Sequence, residues 1–231
     1  RSGMTKILAL ETAGESCSVA LLDDSLPAGQ QVREHFELAP RKQTELALPM
    51  VESMLAEAGL SLKQMDCIAF GHGPGAFTGV RVAAAVAQGL AFSSDLPVVG
   101  VSTLAACALS VADESGAPRV IACFDARMGE LYMGAYQFAG DQIEAVLPDG
   151  LFKPDALPVL EGKWCIAGSG LVYQGALTTA YDASDCLPDA HPHAQAVARL
   201  ALSAYLRGEA VSAEQAQPVY LRDQVIQGAV R

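Results

Sequence analysis

Gly71-His72-Gly73-Pro74-Gly75-Ala76-Phe77-Thr78-Gly79-Val80-Arg81 is the stretch on which the reading of this chain turns. Four glycines fall within nine positions, and a proline stiffens the middle. An apolar run, Met65-Asp66-Cys67-Ile68-Ala69-Phe70, leads in, and a charge-free run from Val82 to Ala91 leads out. The order is strand, glycine loop, helix N-terminus. Glycine permits positive φ and close approach of the backbone to another group. The unpaired N–H groups of a first helical turn favour an anion. Two readings follow: the loop cradles a phosphate, or it is a tight turn that lets a helix pack closely on its strand. It is not a Walker loop, because no Lys-Ser or Lys-Thr follows. Nor is it the full dinucleotide fingerprint, because Ala76 stands where the third glycine would be, a variant that pattern sometimes allows.

The pattern upstream is antiparallel. Lys6 to Leu10 and Ser16 to Leu22 read as strands, with Gly14 at the turn between them, and Gln31 to Leu38 alternates as a third. Gln43 to Ala58 reads as a helix closed by Gly59 in the left-handed conformation. Strand 66–70, the loop, helix 79–92 and a strand from Pro97 to Val101 follow. Ser102-Thr103 then caps a helix running to about Glu114. After Gly116 the pattern restarts: Arg119 to Phe124 is a strand closed by Asp125, Met128-Gly129 is a turn, and Glu130 to Phe138 is the return strand. The first hairpin has the same plan, with Glu11 in the place of Asp125. Trp164 to Ala167 is a strand before Gly168-Ser169-Gly170, and Pro192 to Leu206 is an amphipathic helix ending near Gly208. Asp182 to Pro192 has the composition of a surface loop, and the apolar tail Pro218-Val219-Tyr220-Leu221-Arg222 docks. Three antiparallel strands followed by alternating helices and parallel strands is the order of a ribonuclease-H-like unit. Two such units give an α/β protein of the actin-like ATPase (ASKHA) architecture with mixed sheets. The expected division is residues 4–105 and 106–231, with the last residues packing back on the first unit.

Composition narrows the function. The 231 residues are 51% hydrophobic, enough for a core of ordinary size, and carry a formal net charge of −11. That mean field repels a phosphate backbone, so nucleic acid is reached only through a basic partner. No apolar run is long enough and free enough of charge to span a bilayer. Arg1-Ser2-Gly3 reads as a cloning remnant with Met4 the natural start, and no signal-peptide pattern precedes the first strand. A cytoplasmic location is expected. The six cysteines form no C-x-x-C pair and mostly sit in apolar runs, as buried reduced thiols do.

The glycine loop resembles the signature of the TsaB family, formerly called YeaZ. So do Ile7-Leu8-Ala9-Leu10-Glu11-Thr12-Ala13, Gly100-Val101-Ser102-Thr103-Leu104, Asp125-Ala126-Arg127-Met128-Gly129-Glu130-Leu131-Tyr132 and the tail 218–222. These matches run in order from Ile7 to Arg222, whereas 140–190 carries none. The resemblance implies an actin-like fold and a role in making threonylcarbamoyladenosine beside the anticodon of transfer RNA. It implies a non-catalytic scaffold and activating partner of the catalytic paralogue TsaD, assisted by the ATPase TsaE. A homodimer when alone, and transfer RNA contact only through the complex, belong to the same expectation. The paralogue carries a His-x-x-x-His metal pair on the helix after its Gly-Val-Asn strand end. Aligned on Gly100-Val101, Thr103 and Cys107 occupy those positions, and neither a hydroxyl nor a lone thiol replaces paired imidazoles on a first-row metal.

The candidate phosphate, nucleotide or partner loop is Gly71, His72, Gly73, Gly75, Thr78, Gly79 and Arg81. No catalytic residue, metal ligand or intrinsic cofactor is expected, with ATP or ADP entering only in the complex. Glu11 either places a magnesium water or caps the strand end, the second reading being favoured without a metal pair beside it. Asp125 pairs with Arg127. His191 and His193 flank Pro192 as a surface pair. The helix after the loop is apolar all round and needs cover on more than one side. With the methionine stripe of helix 43–58 it gives a candidate partner interface of Met50, Met54, Val82, Val86 and Leu90. Two other functions compete. A small-molecule kinase of the same fold needs phosphate loops in both halves, and only the first half shows one. A metallopeptidase lacks its metal pair.

Overall fold

The computed structural model describes residues 4–140 and 142–222. Contacts divide the chain into two compact units. One takes the chain through Ala106 together with His193–Val219, and the other takes Cys107–Pro192 and the chain from Tyr220. The expected second half, 106–231, therefore differs in 193–219, which belongs with the first unit.

The first unit is built on β1 (Lys6–Glu11), β2 (Ser16–Asp23), β3 (Val32–Leu38), β4 (Cys67–Gly71) and β5 (Val98–Val101). Its sheet order is β3-β2-β1-β4-β5. β1, β2 and β3 pair antiparallel, whereas β4 and β5 join in parallel. β1, β2 and β4 are buried almost throughout, as strands covered on both faces must be. Period-two alternation assigns the faces. Leu8, Leu10, Val19, Leu21, Ile68 and Phe70 pack under α1 (Gln43–Ala58) and α2 (Phe77–Ser94). Residues of opposite parity, among them Glu11 and Ser18, lie under α5 (Ala194–Leu206), which contacts all five strands. That second layer is why 193–219 returns to this unit. α1 ends as expected on Gly59, at φ 65°. α3 (Thr103–Ser115) opens with the Ser102 hydroxyl accepting the Ala105 N–H at 3.1 Å.

The second unit repeats the topology. β6 (Arg119–Arg127), β7 (Glu130–Ala139) and β8 (Gln142–Phe152) are antiparallel, and β9 (Lys163–Ala167) and β10 (Asp182–Leu187) join in parallel, in the order β10-β9-β6-β7-β8. Ile121, Cys123, Leu131, Met133, Trp164 and Ile166 form its core with Leu177 of α4 (Gln174–Ala180). Two ribonuclease-H-like units in one chain make this an actin-like ATPase fold. One expectation is corrected: the segment from Asp182, read as a loop, begins with β10. Its sequence, Asp-Ala-Ser-Asp-Cys-Leu, is polar because the strand closes a sheet edge and only its Ala183 and Cys186 side pack toward the core. No helix of the described residues is long and apolar enough to cross a membrane.

Candidate functional site

The glycine loop leaves the end of β4, and its glycines face other parts of the same unit. A Cβ on Gly79 would stand 2.1 Å from the Thr12 carbonyl oxygen, and one on Gly75 would stand 2.7 Å from that of Ala13. Both substitutions collide with backbone, which cannot swing aside as a side-chain tip can. Hydrogen bonds fix the approach. Ala76 N–H donates to the Ala13 carbonyl at 2.8 Å, and the Thr12 hydroxyl donates to the Gly79 carbonyl at 2.6 Å. On the other side Val219 N–H donates to the His72 carbonyl at 2.7 Å, and a Cβ on Gly73 would stand 3.0 Å from the Val219 oxygen. Gly73 alone of the loop glycines has positive φ, 103°. The tight-turn reading is thus the one the geometry favours, and the close partner is the β1–β2 turn as well as the helix. The expected docking of the tail is carried here by Val219.

The other loop residues fall into two groups. His72 is largely buried beside Gly100, with its ring edge-on to Phe70 at 6.4 Å between centroids. Burial lowers its pKa to about 4, so its imidazole is neutral near pH 7 and offers no charge to an anion. Thr78 and Arg81 are exposed on the first turns of α2. The Arg81 guanidinium lies 3.0 Å from the centroid of the exposed Phe77 ring.

Beneath the loop, Glu11 is fully buried. One oxygen accepts the Ala13 N–H at 2.8 Å, and Oε2 has no partner. The carboxyl lies over Gly71, where a Cβ would come within 1.8 Å of Oε2. Desolvation outweighs the backbone hydrogen bonds and raises the pKa to about 7. Glu11 caps its strand end, as the favoured sequence reading has it. Residue type gave no sign of its neighbours on the same sheet face. Ser18 Oγ accepts the Ala194 N–H at 2.9 Å, and Glu34 bonds His193 Nδ1 at 3.1 Å. The His193 ring stacks on Phe36 at 4.1 Å. His193 is therefore an anchor for the start of α5 and not half of a surface pair. The sequence reading begins this helix at Pro192, whereas α5 begins at Ala194 with His193 at its N-cap.

The two interface helices divide differently from the sequence stripes. Ala47, Val51 and Met54 of α1 point inward at helical spacing, and Met54 is fully buried in the core. The methionine stripe is thereby corrected: Met54 offers no surface, whereas Met50 is half-exposed. On α2, Val80, Ala83, Ala84, Ala87 and Ala91 face the sheet. Val82, Val86 and Leu90 are half-buried, and Arg81, Ala85, Gly89 and Phe92 form an exposed ridge. Phe92 is 56% exposed and Leu48 of α1 is 49% exposed.

In the second unit Gly168-Ser169-Gly170 follows β9 where the glycine loop follows β4. A Cβ on Gly168 would stand 2.2 Å from the Cys123 carbonyl, and Ser169 Oγ accepts the Asp125 N–H at 3.1 Å. Both units thus press a short glycine-bearing loop on the end of their first strand. Asp125 and Arg127 approach to 3.7 Å, as expected. Thr103 is buried, and its hydroxyl accepts the Gly73 N–H at 3.0 Å. Cys107 is fully buried. Among the described residues no group of three His, Cys, Asp or Glu side chains is placed to hold a metal ion.

The model of one known family, TsaD, tRNA N6-adenosine threonylcarbamoyltransferase, matches residues 35–184. The chain is 40% identical to the tRNA threonylcarbamoyladenosine biosynthesis protein TsaB of Escherichia coli K12, covering 95% of this chain and 96% of that protein. It is 37% identical to the protein of the same name from Haemophilus influenzae, over 95% and 94% of the two chains. The solved structure described as YeaZ from Pseudomonas aeruginosa superposes with a TM-score of 0.87 at 43% identity, covering 94% of this chain and all of that one.

Proposed function

Because the chain belongs to the TsaB family, we propose that it serves threonylcarbamoyladenosine synthesis as a non-catalytic partner of the TsaD-type transferase. It is a tRNA threonylcarbamoyladenosine biosynthesis protein. The observation that carries the non-catalytic part is α3. Thr103 and Cys107 stand where the paralogue has its two metal histidines, both are buried, and the Thr103 hydroxyl is engaged by the Gly73 N–H. Thr103 so placed braces the glycine loop, and a hydroxyl and a thiol make poor substitutes for paired imidazoles on a first-row metal.

The partner surface in this reading is the α1–α2 face. Ala85 and Gly89 make a ridge without long side chains, flanked by Val82, Val86, Leu90 and Met50, with Phe92 exposed at one end. Small residues let a second helix pair approach closely, and the apolar flanks supply area to bury. One face cannot hold two partners, so self-association and transferase binding are mutually exclusive. The glycine loop positions α2 against the β1–β2 turn and so shapes this face. ATP or ADP enters with the transferase or with TsaE, the third component, and transfer RNA is met only in the complex, because the net charge of −11 disfavours direct contact.

Reconstitution with each component omitted tests the proposal. Transfer requires both this chain and the transferase. Transfer by this chain alone, with metal and substrates present, overturns the non-catalytic reading. Full transfer without this chain overturns the partnership.

A further inference from the structure

One cleft of the second unit lies at the opposite end of its sheet from Gly168-Ser169-Gly170. It opens beside the start of β6, the end of β7 and the start of β8. Its volume is about 320 Å³, and Pro118, Arg119, Gln137, Phe138, Ile143 and Glu144 are among its walls. Three of these form a polar row across the sheet. Arg119 on β6 stands opposite Gln137 on β7, and Gln137 stands opposite Glu144 on β8. Residues so paired share a face. The Gln137 amide donates to Glu144 Oε2, which holds the carboxylate in the row.

Arg119 is the unusual member. Its guanidinium carbon lies 4.0 Å from the centroid of the Trp164 ring. Gly162 makes room for it, because a Cβ there would fall 1.9 Å from Nη1. Yet Nε is buried with no acceptor, and no described residue gives the guanidinium a hydrogen bond or a counter-ion. An arginine that merely covers an aromatic ring keeps its polar head in water. This one is half-withdrawn from water, fixed in place and uncompensated, and a charge so placed costs the fold unless something pairs with it.

The surroundings narrow what pairs with it. A planar guanidinium braced on an indole is preorganised for a carboxylate, which takes two parallel hydrogen bonds from it. A plain anion is disfavoured, because Glu144 stands at the exposed rim and the chain carries a net charge of −11. A zwitterion escapes that repulsion. Pro118, Phe138 and Ile143 add apolar wall for a short side chain. Ligand pockets run upward from about 300 Å³, so this one suits a single amino acid better than a nucleotide. We infer that the cleft binds a small apolar α-amino acid, with its carboxylate on Arg119 and its ammonium on Glu144. The inference does not rest on the transferase partnership.

Titration of the full chain with L-valine, isovalerate and isobutylamine tests it. Isovalerate lacks the ammonium of valine, and isobutylamine lacks the carboxylate. Calorimetry gives the affinities, and the indole N–H resonance of Trp164, the only tryptophan, reports the site. L-Valine is expected to bind saturably and shift that resonance, with each analogue about tenfold weaker or more. Arg119→Met keeps an apolar stem over the ring, and Arg119→Lys keeps the charge without the fork. Both are expected to lower L-valine affinity about tenfold or more, with circular dichroism confirming the fold. Glu144→Gln, at an exposed position, is expected to erase the preference for L-valine over isovalerate. No saturable binding of L-valine, equal binding of all three probes, or full affinity in the folded Arg119 variants overturns the inference. An undiminished preference in Glu144→Gln removes the ammonium contact and overturns the zwitterion with it.

Discussion

Replacing Glu11 by Gln tests the chemistry under the glycine loop. The carboxyl is fully buried, one oxygen is unpartnered, and burial raises its pKa from 4.5 to about 7. An unfolded chain releases this proton near pH 4.5, while the folded chain holds it to about pH 7. Between those values the folded state binds more protons, so stability falls as pH rises. The loss is complete above pH 7 and absent below about 4.5. At about 1.4 kcal/mol per unit of pKa, the ionised carboxylate costs the fold about 3 kcal/mol at pH 8.5. Glu11→Gln keeps the shape and the acceptor for the Ala13 N–H but cannot ionise. The stability difference between variant and wild type is therefore expected to shift by about 3 kcal/mol in favour of the variant between pH 5 and pH 8.5. The other ionisable groups are common to both proteins and largely cancel. Urea unfolding followed by circular dichroism supplies the measurement. Trp164, the only tryptophan, lies in the second unit and reports separately whether the two units unfold together. A difference that stays flat across this range, or that moves against the variant as pH rises, refutes the argument that Glu11 is held protonated.

Further expectations follow from the same geometry. Gly79→Ala drives a Cβ to 2.1 Å from the Thr12 carbonyl and is expected to cost several kcal/mol or abolish folding, whereas Gly89→Ala, in open space on the same helix, is expected to gain about 0.5–1 kcal/mol; paired thermal melts decide it. Ala85→Glu, exposed on the α2 ridge, is expected to leave the melting temperature within a degree or two but to abolish self-association and transferase binding together in sedimentation experiments. Normal binding by that variant places the interface elsewhere. Burial pushes the Cys67 and Cys123 thiols up to about 12 and those of Cys17 and Cys165 to about 11; Cys107 is fully buried, and only Cys186 is half-exposed. A thiol reagent should therefore label at most one cysteine rapidly in the folded protein and all six in denaturant.

The elements of the first unit were legible because each carries a local signal. β1 and β2 are continuous apolar runs, α1 closes on a left-handed Gly59, and the glycines before α2 mark the turn. Period and capping act over a few residues, so sequence alone places them. Glu11 was legible as a strand-end cap, but its pKa was not, because that depends on Gly71 standing 60 residues away without a side chain. The glycine loop shows the same limit. Composition allows a phosphate cradle or a tight turn, and only the distances to Thr12, Ala13 and Val219 favour the turn. Met54 and Met50 look alike along the helix, yet one is fully buried in the core with Leu8 and Phe70 and the other packs at its margin, half-exposed. β10 was missed because a polar strand at a sheet edge has no apolar period to detect. His193 was misread because its partners, Glu34 and Phe36, belong to β3, about 160 residues earlier in the chain. Local signals fix where strands and helices begin and end. Which faces meet, and hence which charges are buried and which glycines are indispensable, is decided when the chain returns through α5 to cover the second face of its first sheet.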